Sequence, residues 1–253
     1  MPVLWFNPYV FKSTPVSSNV IAWYDFTNTT CYNPLVSTTA VTDLSPSGYN
    51  LTFNSAPTLD KTGPGGITMG VIIPGSGYAD RSGITYNIGS GYTVETLYKL
   101  TTLPGGYPSV LGLTSGSRGN AQNGFTMNVT ATGFGGAPSV PYFASGTTSF
   151  GNTFLRTTPP LSTNTYYHTV ASVSSGGTVT TYINGSTTTA GTTTLPSGNQ
   201  TGYIGTGFVM PGGATIQGTT AILKLYNVAR TPAQVSSDYN TIKSLSGNPY
   251  GLP

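Results

Sequence analysis

Apolar and polar positions alternate with a period of two over most of the readable chain, the pattern of half-buried β-strands. Positions 21–26 (Ile-Ala-Trp-Tyr-Asp-Phe) read as one such strand, and 92–100 (Tyr-Thr-Val-Glu-Thr-Leu-Tyr-Lys-Leu) as another. The most legible unit is a hairpin: a strand at 166–173, a turn at Ser174-Ser175-Gly176-Gly177, and a return strand at 178–183. Asn184-Gly185 follows as a tight-turn signal, because both central positions of a type I′ turn need positive φ. Shorter strands are predicted at 51–53, 109–113, 124–129, 202–205 and 221–226, with 101–160 repeatedly interrupted by Gly and Pro. The period changes once. Thr231-Pro232-Ala233-Gln234 forms a capping box, and Val235, Tyr239 and Ile242 fall at helical spacing, which predicts one helix over about 232–243.

No internal repeat and no second linker interrupts this series. It predicts one all-β domain at 20–246, with an arm at 1–19 and a non-helical tail at 247–253. In the arm, Trp5, Phe6, Tyr9, Val10 and Phe11 are large and apolar, while Pro2, Pro8 and Pro15 prevent a regular element. Two readings of the arm stand side by side: it packs on its own domain, or Trp5, Phe6, Tyr9 and Phe11 dock onto a partner.

Composition narrows the chemistry. Of 253 residues, 104 are Thr, Ser or Gly, and only fifteen are charged. At 6% charged, against about 25% in ordinary domains, a helical bundle is excluded. Charge-rich disorder is excluded by the 37% hydrophobic content. The net charge of +3 comes from nine bases scattered singly along the chain, so no phosphate-binding patch and no nucleic-acid partner is expected. Cys31 is the lone cysteine and reads as a small apolar filler in a fold that needs no disulfide. No stretch is apolar enough to cross a bilayer, and the first residues lack the pattern of a signal peptide.

Candidate chemistry is sparse. A glycosidase needs two carboxylates about 5–10 Å apart, and the chain offers Asp25, Asp43, Asp60, Asp80, Glu95 and Asp238, with Glu95 its only glutamate. Asp43 reads as a turn former, Asp238 as a residue on a surface helix, and Glu95 as a strand residue facing Lys or hydroxyl groups. His168, the single histidine, lies within a predicted strand, and no Gly-X-Ser-X-Gly elbow accompanies it. No His/Cys/carboxylate cluster suits a transition metal. Calcium is the one metal kept open, with Asp43 as its candidate ligand, and no other cofactor is expected. The 29 aromatics and many Asn and Thr could build a sugar-binding face.

Four segments, in order, resemble the laminin-G-like, or concanavalin A-like, jelly rolls. Tyr24-Asp25-Phe26 with Asp43-Leu44-Ser45-Pro46-Ser47-Gly48-Tyr49-Asn50 is similar to the family's opening "Trp/Tyr-X-Phe … Asp-X-Ser-Gly-Asn-Gly-Asn". The strand at 92–99 resembles its "Phe-Thr-Ile-Glu-X-Trp" strand. His168-Thr169-Val170-Ala171 with Tyr182-Ile183-Asn184-Gly185 resembles its "Trp-His-hydrophobic-Ala … Leu-Tyr-hydrophobic-Asn-Gly" hairpin. Leu223-Lys224-Leu225-Tyr226-Asn227-Val228-Ala229-Arg230-Thr231 resembles the closing segment before the terminal helix. Pro46 and Ser47 depart from the family's Gly and Asn, and 101–160 has no clear counterpart. The resemblance implies two stacked antiparallel sheets, a jelly-roll sandwich shared by lectins, adhesion modules, glycan-active enzymes and virion surface proteins.

The sequence-based expectation is therefore a non-enzymatic virion surface component, a capsid decoration or fibre protein, made in the host cytoplasm without a signal peptide. Its expected partners are a major capsid or tail protein met through the arm, further copies of itself, and a cell-surface glycan. The alternatives are a free carbohydrate-binding lectin and, third, a glycan-active enzyme.

Overall fold

The structure, a computed structural model, describes residues 19–75, 77–104, 106, 108–116, 121–130, 139–148, 153–207, 216–245 and 248–253. Trp5, Phe6, Tyr9 and Phe11 of the arm lie outside these residues. Threonine, valine, isoleucine and tyrosine fill the alternating stretches and favour the pleated backbone, where branched and aromatic side chains pack well. In chain order the strands are β1 (Val20–Asp25), β2 (Ala40–Val41), β3 (Leu51–Phe53), β4 (Thr58–Asp60), β5 (Gly70–Ile72), β6 (Ala79–Tyr86), β7 (Tyr92–Leu100) and β8 (Ser109–Thr114). They continue as β9 (Gly124–Val129), β10 (Pro141–Gly146), β11 (Thr153–Arg156), β12 (Tyr166–Val173), β13 (Thr178–Ile183), β14 (Ser186–Thr192), β15 (Gln200–Thr206) and β16 (Gly218–Tyr226). Helix α1 (Pro232–Lys243) closes the series.

The strands form two eight-stranded antiparallel sheets. The first runs β14-β13-β12-β7-β16-β5-β4; β1 also pairs with β16, continuing along the edge that β5 uses. The second runs β11-β10-β9-β8-β15-β6-β3-β2. This is the predicted two-sheet sandwich, and the region 101–160 supplies four adjacent strands of the second sheet. Only β8 and β9 of those four were expected. β1 was expected to be half-buried, yet both its faces are covered. Ala22 and Tyr24 enter the core between the sheets, and Trp23 packs with Val20 and Tyr226 on the opposite side.

The core between the sheets is rich in rings. Tyr92 lies 5.2 Å from Phe125 and 6.4 Å from Phe143, centre to centre. The Tyr92 hydroxyl bonds Ser145 Oγ at 2.6 Å across the sheets, which satisfies a phenol that would be costly to bury alone. Where β11 and β14 meet, the sandwich is fastened by hydroxyls rather than a ladder. Thr153 Oγ1 donates to the Thr192 carbonyl, and Thr189 Oγ1 donates to the Arg156 carbonyl at 3.0 Å.

Helix α1 begins at the predicted capping box. Gln234 N donates to Thr231 Oγ1, and Thr231 N donates to Gln234 Oε1 at 2.9 Å. Val235, Tyr239 and Ile242 are buried as the stripe predicted, and they cover the outer face of the first sheet. The tail follows the helix down. Tyr250 and Leu252 are buried with Leu97 and Ile222, and the Asn248 side chain brackets Leu252 through both its backbone N–H and its carbonyl. No helix of the described residues is long and apolar enough to cross a membrane.

The turn at Asn184-Gly185 links hairpin and helix. Both residues have positive φ, 50° and 76°, as a type I′ turn requires. A Cβ on Gly185 would lie 2.8 Å from Tyr239 Cδ1, so this glycine also admits the helix. Gly185→Ala should destabilise the fold by roughly 1–3 kcal/mol through backbone strain and overpacking. Urea unfolding checks it, with Gly48→Ala, also at positive φ but with nothing near its Cβ, separating strain from collision.

Candidate functional site

Alternation along β7 sends Val94, Tyr98 and Leu100 into the core between the sheets and turns Glu95, Leu97 and Lys99 to the opposite face, beneath α1 and the tail. Glu95 is fully buried there. Register places Lys224 of β16 directly across from it, with Tyr226 and His168 on the neighbouring diagonals. His168 Nε2 lies 3.1 Å from Glu95 Oε1, Lys224 Nζ lies 3.7 Å from the same oxygen, and the Tyr226 hydroxyl donates to Oε2 at 2.9 Å. The expectation that Glu95 faces Lys and hydroxyl groups holds. Burial by itself would raise its pKa. The Lys224 charge, the His168 hydrogen bond and charge, and the Tyr226 hydroxyl outweigh burial and hold the carboxyl well below the usual range.

A second ion pair closes over the first. Arg230 pairs with Asp238 and stacks 4.5 Å above the Tyr226 ring. Its backbone is fixed from below: Arg230 N donates to Thr93 Oγ1 at 2.8 Å, and Ser172 Oγ donates to the Arg230 carbonyl at 2.9 Å. Asp238 sits on the surface helix, as expected, and its partly exposed carboxylate turns toward Arg230. The ionic cluster below the helix draws it there. Its pKa is raised, by burial first and by the Glu95 charge second, against the pull of Arg230.

The other carboxylates are also engaged. Asp60 takes Lys99 Nζ at 2.9 Å, Thr62 N at 3.0 Å, Thr219 Oγ1 and the Tyr166 hydroxyl. Those donors outweigh burial and lower its pKa. Asp43 accepts four hydrogen bonds: Trp23 N at 2.9 Å and Ser45 N at 2.8 Å on Oδ1, Ser45 Oγ and Tyr49 N at 2.8 Å on Oδ2. That geometry is the turn former's. Those four donors engage both oxygens of the one residue put forward as a calcium ligand. No group of three or more His, Cys, Asp or Glu suited to a metal occurs among the described residues. Asp25 accepts the Thr27 N–H and hydroxyl, and its burial raises its pKa. Asp80 borders a small polar hollow of about 320 Å³ with Arg81, Asn50 and Thr52.

Two surface features remain. A neutral groove of about 650 Å³ lies between Thr158-Pro159, the β13–β14 turn and the helix. Thr158, Asn184, Ser186, Thr187 and Thr188 give it hydroxyls and an amide, and Tyr239 forms its floor. Tyr239 is held by its hydroxyl, which donates to the Pro253 oxygen, and by its ring, 5.9 Å from His168. On the outer face of the second sheet, Phe154 is 49% exposed and stacks on Tyr142 with ring centres 5.7 Å apart and planes 14° from parallel. Leu35 and Val36 are the other large apolar side chains exposed among the described residues. Sequence reasoning marked none of these. Phe154 and Tyr142 sit in a stretch without readable periodicity, and the groove joins three segments distant in sequence.

Residues 74–236 match the model of a family described as the concanavalin A-like lectin/glucanases superfamily. Solved structures share the fold at low identity. Domain 4 of AbnA, an extracellular GH43 arabinanase from Geobacillus stearothermophilus solved with arabinotriose, has a TM-score of 0.60 and 17% identity, over 87% of this chain and 97% of that one. Trypanosoma rangeli sialidase has a TM-score of 0.60 and 11% identity over 90% of this chain, which spans 34% of the sialidase. The binding domain of Paraclostridial Mosquitocidal Protein 1 has a TM-score of 0.59 and 13% identity, covering 89% of this chain and 53% of that one. No curated protein matches in sequence.

The buried carboxylates set an acid limit on stability. Glu95 and Asp60 have folded-state pKa values below their ordinary 4.5 and 3.8, so their stabilisation is complete above those values and is lost as pH falls through the folded-state ones. Unfolding free energy should begin to fall near pH 4 to 5. Glu95→Gln should cost on the order of 3 kcal/mol at pH 7, because it leaves buried positive charge uncompensated. It should also flatten the acid limb of a plot of stability against pH. A variant as stable as the parent with the same acid limb would show that the cluster carries no net stabilisation.

Proposed function

The chain belongs to the concanavalin A-like lectin/glucanases superfamily, and from that premise we propose that it is a non-enzymatic adhesion jelly roll for neutral glycans, displayed on a virion as a capsid decoration or fibre component. The observation that carries the non-enzymatic part is the fate of the carboxylates. Glycoside hydrolysis calls for two carboxyl groups flanking an open site. Here Glu95 lies beneath α1, Asp238 on that helix is paired with Arg230, Asp60 is held by Lys99, and Asp43 and Asp25 serve their own turns. The surface left to meet a ligand is built from hydroxyls, amides and rings, the groups that recognise uncharged sugars. The arabinotriose bound to the AbnA domain supports the same ligand class for this fold.

Display on a particle rests on the sequence. Residues 1–19 combine large apolar side chains with prolines, which suits an arm that anchors by packing rather than by charge. A free lectin is the second reading, favoured if the arm packs on its own domain.

A glycan array probed with the isolated chain should give binding to neutral oligosaccharides. Removing residues 1–19 should leave circular dichroism and glycan binding intact while abolishing incorporation into purified particles. Normal incorporation of the truncated chain would sink the anchoring role. Polysaccharide turnover by the purified parent chain would replace adhesion with catalysis.

A further inference from the structure

Phe154 of the exposed aromatic pair and one wall of the groove lie on one short stretch of chain. Phe154 and Arg156 lie on the same face of β11, Arg156 is opposite Tyr142 in the register, and β11 leads within two residues into Thr158-Pro159 at the groove. Phe154 and Thr158 are four residues apart, a span of up to about 13 Å in extended chain. The two hydroxyl-to-carbonyl bonds between β11 and β14 hold the far wall of the groove against this strand.

We propose that this seam is an extended binding site for an uncharged oligosaccharide, in which Phe154 and Tyr142 receive the C–H face of one sugar ring and the groove takes the next units through hydroxyls. The proposal rests on the adhesion reading and gives it an address.

Two observations point to this ligand class. An aromatic side chain half exposed on a sheet face leaves apolar area in water that a ligand can cover, and its near-parallel partner widens the platform. The groove has no charged side chain in its lining, which the Pro253 main chain completes, and presents short hydroxyl side chains on an ordered hairpin turn. Such groups lose little conformational freedom on binding, which favours ligands recognised by many weak hydrogen bonds.

The test uses the full chain and an immobilised panel of neutral arabinan, galactan, glucan and mannan oligosaccharides, read by biolayer interferometry. Phe154→Ala should weaken binding of the best ligand at least tenfold, and Thr187→Val, which deletes a hydroxyl at constant shape, several-fold. Both positions are exposed, so thermal melting should not move. Leu35→Ser, at another exposed apolar position, should bind like the parent. If the parent binds the panel and both seam variants bind equally well, the seam is overturned and the adhesion reading stands. If the parent binds nothing, both fall. If Phe154→Ala splits an oligomer on sedimentation and leaves sugar binding unchanged, the rings serve contact between copies and the saccharide site is wrong.

Discussion

Glu95 sits where β12 and β16 flank β7, and each flanking strand brings a group to it. A carboxylate buried without such partners would cost several kcal/mol, so the register of all three strands is tied to one side chain. The dependence extends upward. Tyr226, which donates to Glu95, carries Arg230 on its ring, and Arg230 draws in Asp238 from the helix. His168, on the other side of Glu95, lies against Tyr239. Helix α1 is thus placed by a chain of polar contacts that starts inside the sheet, while Val235, Tyr239 and Ile242 supply the apolar cover.

Hydroxyls connect what charges do not. The Thr96 and Thr169 hydroxyls bond at 2.7 Å across β7 and β12, and those of Thr181 and Thr188 at 3.0 Å across β13 and β14. Thr93 ties the first sheet to the segment before the helix, and Thr153 and Thr189 tie β11 to β14. The abundance of threonine is therefore more than strand propensity. A branched side chain that fits the pleat also carries a donor to the neighbouring strand.

The parts legible in the sequence are those specified locally. The strand at 92–100, the hairpin at 166–183, the Asn184-Gly185 turn and the helix at 232–243 each rest on neighbouring residues, and all appear at the expected positions. β14 escaped notice because Ser-Thr-Thr-Thr-Ala-Gly-Thr has no apolar alternation to read. Its order comes from β13 on one side and the Thr153 and Thr189 contacts on the other. β6 was hidden by its register shift and by Gly83, whose φ of 69° breaks the period. The grouping of Glu95, His168, Lys224, Tyr226, Arg230 and Asp238 was unreadable for another reason. It depends on the alignment of three strands far apart in the chain, and no local spacing encodes that. Asp43 shows the converse: its turn role followed from Ser45 and Gly48 beside it.

Six of the fifteen charges are spent within the molecule, Lys99 on Asp60, Lys224 on Glu95 and Arg230 on Asp238. The net charge is only +3, so a partner would meet a weak field and its approach would be little steered. Encounter then proceeds at the unsteered rate of about 10⁵–10⁶ M⁻¹s⁻¹, and it changes little between dilute buffer and brine, where charge-guided binding would collapse. Holding power in such a system comes from the number of simultaneous contacts, which rewards display in many copies over tight single attachment.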